Sequence, residues 1–344
     1  MKSTKLIKVV HFGDKLQKHR KMKSVIETME PYFSEIVSIK TYSDEEKPLF
    51  RAIDFLVGFF NKGIFADYII IDVYSTFNFY YAFFISLLCV VFKKKYILFL
   101  HGGNLPYRYK KSEFIFNYIL KKSNNIVSPS GYLKYEFENV GFQVELIPNI
   151  IEKNKYIFKE RNFESPNILY LRGFGQIYNP MCLVKAIILL KVDYPNINVH
   201  MLGSDPNRRK EDIQSFINNN DLSNNIFLYE GMQFEDWHKI SEKSNLMVSC
   251  PLIDNMPISI LEGMALGLLI ISSEVGGIPY LVTNKKTGLL FRSDDEKELA
   301  ECIKLSITDS EKSKEITNSG REYISNFYWE NVRLKWLEVF TLNK

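Results

Sequence analysis

The sequence predicts an α/β fold built as two Rossmann-like domains with parallel sheets. Three observations carry that reading. Short apolar, β-branched runs alternate along the chain with segments of helical period, the pattern of parallel strands joined by crossover helices. With 344 residues the chain is long for one core and suits two domains of ordinary size. A polar run, Glu152–Ser165 (E-K-N-K-Y-I-F-K-E-R-N-F-E-S), separates the two stretches of alternation and reads as a linker.

In the first domain, residues 1–150, strands are expected at Lys5–His11, Glu35–Lys40, Tyr68–Val73, Tyr96–Leu100, Asn125–Pro129 and Val144–Pro148, with helices between them. The apolar segment Thr76–Phe92 has 17 residues, fewer than the roughly 20 a membrane span needs, and reads as a helix buried on a sheet. His101-Gly102-Gly103 follows the strand Tyr96–Leu100, at a strand end where open α/β sheets bind ligands. Gly13, after the first strand, lets a phosphate or acceptor approach the backbone; the loop His11–Lys15 lacks G-x-G-x-x-G, which argues against a dehydrogenase. The second domain, residues 166–325, restarts with Asn167–Leu171 and ends its alternation near Ile303. Asn318–Phe340 reads as one helix carrying Trp329 and Trp336.

Composition narrows the function. The chain is 46% hydrophobic and 24% charged, an ordinary folded protein. Its four cysteines are scattered, without C-x-x-C or histidine at metal-ligand spacing, which fits reduced core thiols in the cytoplasm. No metal site, cofactor motif, D-x-D, G-x-S-x-G or secretory signal is evident. Net charge is +4, unevenly spread: residues 1–150 hold 21 Lys/Arg against 14 Asp/Glu, the remainder 23 against 26. Between Val73 and Ser112 there is no acid, but Lys93, Lys94, Lys95, Arg108, Lys110 and Lys111 interleave with Tyr96, Phe99, Tyr107 and Tyr109. Such a face suits an anionic membrane surface or a diphosphate-bearing lipid, the alternative being a solvated basic face; no nucleic-acid-binding motif appears.

The most informative segment is Val248–Leu269 (V-S-C-P-L-I-D-N-M-P-I-S-I-L-E-G-M-A-L-G-L-L). It reads as a buried strand, a loop carrying Asp254, and a helix opened by Pro257 with Glu262 inside. Free N–H groups and the macrodipole make such a helix start attractive to anions, here the amides of Asn255, Met256 and Ile258 around Pro257, which has no N–H of its own. Five residues at 1.5 Å each separate Pro257 from Glu262 by roughly 7–8 Å, about the span of a diphosphate. A ligand of shape sugar–diphosphate–ribose would meet Asp254 at one end and Glu262 at the other; alternatively Asp254 is a cap and Glu262 solvated. Arg172, after the strand Asn167–Leu171, can present its guanidinium fork to phosphate oxygens or pair with a local acid. Tyr178 can donate one hydrogen bond, and Gly203 and Gly231 suit turns near a nucleotide.

These motifs in this order resemble the retaining GT-B glycosyltransferases of family 4. Asp254 and Glu262 are spaced like the family's two glutamates, and Gly263-Met264-Ala265-Leu266-Gly267 follows. Gly276-Gly277-Ile278-Pro279 and Thr287-Gly288-Leu289-Leu290-Phe291 resemble its G-G-x-x-E and T-G-x-L-x signatures. The chain departs from the pattern with Asp254 in place of the first Glu and Tyr280 where an acid is common. In its phosphate clamp, Arg172-Gly173…Tyr178-Asn179 lacks the usual Lys. The resemblance implies a GT-B fold with its two sheets facing a central cleft and residues 326–344 returning as a helix onto the first domain. It implies a metal-independent transferase without cofactor, acting on a nucleotide-sugar donor and a glycan or lipid-linked acceptor of surface polysaccharide. Asp254, His101 and Arg172 would then be catalytic. Glu262 would hold the ribose hydroxyls, with Gly13, Asn255, Met256, Pro257, Ile258, Tyr178 and Gly231 around the donor. Localisation would be cytoplasmic, with the inner-membrane surface a candidate partner. A sugar-nucleotide epimerase of the same fold and a non-catalytic binding homologue are the alternatives.

Overall fold

Short apolar runs such as Tyr96–Leu100, and Tyr68–Val73 with Asp72 as its one charged residue, show no polar alternation and suit strands covered on both faces. In the computed structural model, which describes residues 6–15, 24–205 and 208–341, every residue of those two strands is buried. By contacts the chain divides into two units, Met1–Ile150 with Phe327–Lys344, and Ile151–Asn326.

The first unit runs β1 Lys8–Phe12, α1 Val25–Phe33, β2 Ser38–Tyr42, α2 Pro48–Asn61, β3 Tyr68–Val73, α3 Asn78–Val91, β4 Tyr96–Leu100, α4 Leu105–Lys111, α5 Glu113–Lys122, β5 Asn125–Ser128, α6 Gly131–Glu138 and β6 Glu145–Leu146. Its sheet is wholly parallel, in the order β2-β1-β3-β4-β5-β6. The expected second strand starts late because residues 35–37 close the end of α1: the Ile36 and Val37 amides both donate to Phe33 O. The predicted start of the first strand, Lys5, lies outside the described residues, as do the last three residues of the expected C-terminal segment. At 14 residues, α3 is no membrane span, and no helix among the described residues is long and apolar enough to be one.

The second unit runs β7 Asn167–Leu171, α7 Pro180–Leu190, β8 Asn198–Gly203, α8 Lys210–Asn219, β9 Ile226–Glu230, α9 Phe234–Lys243, β10 Leu246–Ser249, α10 Ile258–Ala265, β11 Leu269–Ser273, α11 Ile278–Leu281, β12 Leu289–Phe291, α12 Glu296–Thr308 and α13 Ser310–Ile324. Its parallel sheet is ordered β12-β11-β10-β7-β8-β9, so the strands leading to Asp254 (β10) and Arg172 (β7) are neighbours.

Two expectations are corrected. Asn318–Phe340 is two helices: α13 stops at Ile324, a tight turn occupies Ser325–Phe327, and α14 covers Trp329–Thr341. In the first unit α14 buries Trp329, Val332, Trp336 and Phe340, with Trp336 edge-on to Phe33 and Phe99 at 5.0 and 5.4 Å. The polar run Glu152–Ser165 is no free linker. Tyr156, Arg161 and Phe163 are buried in the second unit, so the segment is a strap packed on the domain it precedes. Charged residues set its average polarity, but three residues spaced through it do the packing.

Candidate functional site

The loop between β10 and α10 of the second unit is shaped by backbone against backbone. The Gly277 amide donates to Asp254 O at 3.0 Å. A Cβ at Gly276, which has φ +51°, would sit 2.1 Å from Asp254 O, and one at Gly277 would sit 1.7 Å from Asn255 O. The glycine pair recognised in the sequence is therefore the bed on which Asp254-Asn255 lies. The loop leads into α10, whose first helical residue is Ile258. Pro257 is the cap residue (φ −68°, ψ 114°) and not the first helical residue as expected, because its extended ψ still belongs to the incoming loop. The first-turn amides of α10 keep their orientation toward that loop.

Above this start the side chains converge. Arg172, at the end of β7, forms an ion pair with Asp254. Its guanidinium carbon stands 4.9 Å from the centre of the Tyr178 ring, so Tyr178 supports the cation with its face. Burial pulls the Arg172 group below its ordinary pKa, opposed by Tyr178, Tyr170 and Glu262. Arg172 is thus an electrostatic neighbour of both acids. The local pairing weighed for Arg172 is the one seen, and the partner is the other proposed catalytic residue. Gly203 closes this corner: a Cβ there would lie 2.0 Å from Arg172 O.

Glu262 is buried on α10 and accepts a 2.5 Å hydrogen bond from the Tyr156 hydroxyl. Burial pushes its carboxyl above the ordinary value, against the Tyr156 bond, Lys155 and Arg172. Sequence reasoning missed Tyr156, which sits in the segment taken as a linker. It also missed Ser259, a buried hydroxyl in the first turn of α10 with no hydrogen-bond partner. A Ser two residues past a Pro before a helix was the available signal. Gly231 has φ +63° beyond the edge strand β9, with β8 and β7 between that strand and β10.

The first unit holds a second constellation. At the ends of β1, β3 and β4, His11 Nε2 and His101 Nε2 lie 2.7 and 3.0 Å from the same Asp72 oxygen, Oδ1. Burial alone would raise the Asp72 carboxyl; the two imidazoles overcome it and hold the group well below the ordinary carboxylate range. His101 is stacked on Tyr74, with centroids 5.4 Å apart, so carboxylate and ring together fix its orientation. The close approach expected at Gly13 is explained by Asp72 itself: a Cβ on Gly13 would lie 2.1 Å from Asp72 Oδ2. A small recess opens beside this carboxylate, lined in part by Gly13, Asp14, Arg51, Tyr74, Asn78 and Tyr81. Arg51 is buried there, 3.1 Å from Asp14 Oδ1.

Because the folded pKa of Asp72 is depressed, its stabilisation is complete above its ordinary value of 3.8 and is lost as pH falls through the lower folded value. Asp72→Asn should therefore lower unfolding free energy by about 2 kcal/mol near neutrality, with the deficit shrinking toward about pH 3. Denaturant titrations at the two pH values test this; a deficit independent of pH would refute it.

Residues 152–323 match the family model described as glycosyl transferases group 1. An uncharacterized glycosyltransferase of Methanocaldococcus jannaschii is 26% identical over 238 residues, covering 68% of this chain and 65% of that protein. A Campylobacter jejuni alpha-1,4-N-acetyl-D-galactosaminyltransferase, whose name specifies a PP-undecaprenol-linked substrate, is 23% identical over 211 residues, 60% of this chain and 56% of that protein. The chain thus spans less than two thirds of the length of these two relatives. Among solved structures, sucrose-phosphate synthase from Thermosynechococcus elongatus superposes with a TM-score of 0.79 at 15% identity, covering 98% of this chain and 99% of that one. HepE of Anabaena, solved with UDP, gives 0.77 at 13% identity, covering 98% and 100%. At these identities the structures establish the fold, which is the α/β GT-B architecture. With the family model matching half its length, the chain belongs to the glycosyl transferases group 1 family.

Proposed function

We propose that this protein is a retaining glycosyltransferase of family 4. It would transfer a sugar from a nucleotide-sugar to a glycan or lipid-linked acceptor of surface polysaccharide, at the cytoplasmic face of the membrane. The observation that carries this reading is the shared cation: Arg172 pairs with Asp254 and lies in the field of Glu262, so two acids eight positions apart converge on one group suited to a diphosphate.

On donor binding, the diphosphate takes the Arg172 guanidinium and the N–H groups opening α10, with the Ser259 hydroxyl as a further donor. Asp254, released from Arg172, accepts from a hydroxyl of the transferred sugar. Glu262, oriented by Tyr156, accepts from the ribose hydroxyls. As the sugar–phosphate bond breaks, these donors are already placed around the charge growing on the leaving diphosphate. The acceptor attacks from the face of departure and gives its proton to the leaving phosphate. The first unit is assigned the acceptor, and His101, held by Asp72, a catalytic role.

Calorimetric titration with UDP-glucose, UDP-N-acetylgalactosamine and GDP-mannose identifies the donor. Glu262→Gln keeps the shape and the Tyr156 contact but loses the charge, and should weaken binding of the accepted donor about tenfold to 100-fold. Unchanged affinity would exclude the ribose contact.

A further inference from the structure

Two helices of the first unit are apolar on the side away from the sheet as well as on the side against it. The inner face of α2 is buried through Phe55, Gly58 and Phe59, yet Leu49, Phe50, Ile53, Val57 and Phe60 recur at helical spacing on the outside, Leu49 with 71% of its surface exposed. On α3 and its ends, Phe77, Tyr80, Phe84 and Val91 form an outward row, Phe77 at 62% and Val91 at 71% exposure. The rows belong to one surface: Phe92, just past α3, meets Phe59 and Phe60 with ring centroids 5.6 and 5.5 Å apart. Soluble proteins seldom show so many large apolar side chains on adjacent helices without a partner.

The charge around this face says which partner. Exposed Lys47 and Lys62 flank α2, exposed Lys93 and Lys95 follow α3, and exposed Lys110 and Lys111 end α4. Arg108 of α4 lies over the rings of Phe79 and Tyr80 at 4.7 and 4.8 Å, which joins the basic α4 to the apolar row. Against these stand Glu45 and Glu46 ahead of α2 and the half-buried Asp54 on it; α3 carries no charged residue. A second copy of this chain would set lysines against lysines across a two-fold axis, which is unfavourable. An anionic bilayer accepts both parts, headgroups meeting lysines while aromatic and aliphatic tips enter the interface. Each 14-residue helix is about 21 Å long, too short to span the roughly 30 Å hydrocarbon core, so the helices lie on the surface.

We infer that the outer face of α2 and α3, edged by lysines, docks this protein on an anionic membrane surface. This deepens the proposed reading by naming the lipid partner. The same two helices line the recess beside Asp72 through Arg51, Phe55, Asn78 and Tyr81, so docking would bring a lipid-borne saccharide near that recess.

Flotation of the full chain with vesicles of phosphatidylcholine alone or enriched in phosphatidylglycerol tests the docking without any donor or acceptor, so failure of the transferase reading leaves its outcome readable. Binding is expected to the phosphatidylglycerol vesicles and to weaken with salt. Val57→Glu with Phe84→Glu should reduce it tenfold or more, and Lys93→Glu with Lys95→Glu by about fivefold per lysine. Thermal melting checks that the variants remain folded. No binding to either vesicle, or equal binding by the Val57/Phe84 variant, would overturn the proposal. A salt-resistant dimer broken by the same substitutions would also overturn it, assigning the face to self-association.

Discussion

Asp254→Ala should lower the rate of sugar transfer by a factor of about 10²–10³ while leaving nucleotide affinity nearly unchanged. The asymmetry follows from the position of the side chain. In the ligand-free protein its carboxylate neutralises Arg172, so removing it leaves a cation that a diphosphate can satisfy at least as well. On the proposed reading, what is lost is the acceptor for the donor-sugar hydroxyl, a contact that would matter as the sugar gains positive character. Alanine removes the 2.8 Å bond that the Asp254 carboxylate accepts from the Asn255 amide, but the loop keeps the Gly277 amide on the Asp254 carbonyl and the Gly276-Gly277 bed, so its course should survive. Steady-state transfer with the donor found by calorimetry, beside titration of the same variant with that donor's nucleoside diphosphate, separates the two effects. Transfer at the parent rate would remove Asp254 from the mechanism.

Arg161→Ala should destabilise the second unit by about 3–5 kcal/mol, the largest structural effect expected from one surface-to-core contact in that unit. Its guanidinium donates to four carbonyls: Ser241 and Glu242 near the end of α9 and Ser244 beyond it, at 2.9, 3.0 and 3.1 Å, and Leu266 at 2.6 Å. Leu266 caps the C-terminus of α10, the helix that carries Glu262. The residue is buried, and burial lowers its pKa to about 10, so it remains charged near neutrality despite the opposing cost. Alanine would remove the charged donor all four share, leaving Ser241, Glu242 and Leu266 only the weaker bonds from Ser244 N and from Lys159 Nζ and N at 3.2–3.3 Å. Lysine can reach one or two of them and should recover part of the loss. Denaturant unfolding of the three proteins measures the series; a deficit below about 0.5 kcal/mol for alanine would show that other donors replace the guanidinium.

The sheets were legible because β3, β4 and β7 are predominantly apolar runs without polar alternation, and their spans were read as they stand in the fold. Of the short, half-exposed strands, β6 proved shorter than expected and β2 was displaced, since local turn bonds at residues 35–37, not hydrophobicity, decide where β2 begins. Asp254, Glu262 and Arg172 of the candidate site were named from their spacing around a strand end and a helix start and from the family resemblance. Tyr156 and Arg161 were not, because a buried hydroxyl or guanidinium inside a charged stretch leaves no periodic trace. Asp72 was also invisible: it lies within an apolar strand, and only the fold brings it to His11 and His101, at sequence separations of 61 and 29.

The bed formed by Gly276 and Gly277 divides the labour of the donor loop between two stretches of chain. The conformation of Asp254-Asn255 is moulded from outside, by a neighbouring turn that itself offers no functional group. Chemistry at position 254 can therefore be exchanged, a longer acid or an amide for the aspartate, without refashioning the main chain beneath it. A redesign of sugar preference has its freedom in the moulded residues and none in the mould.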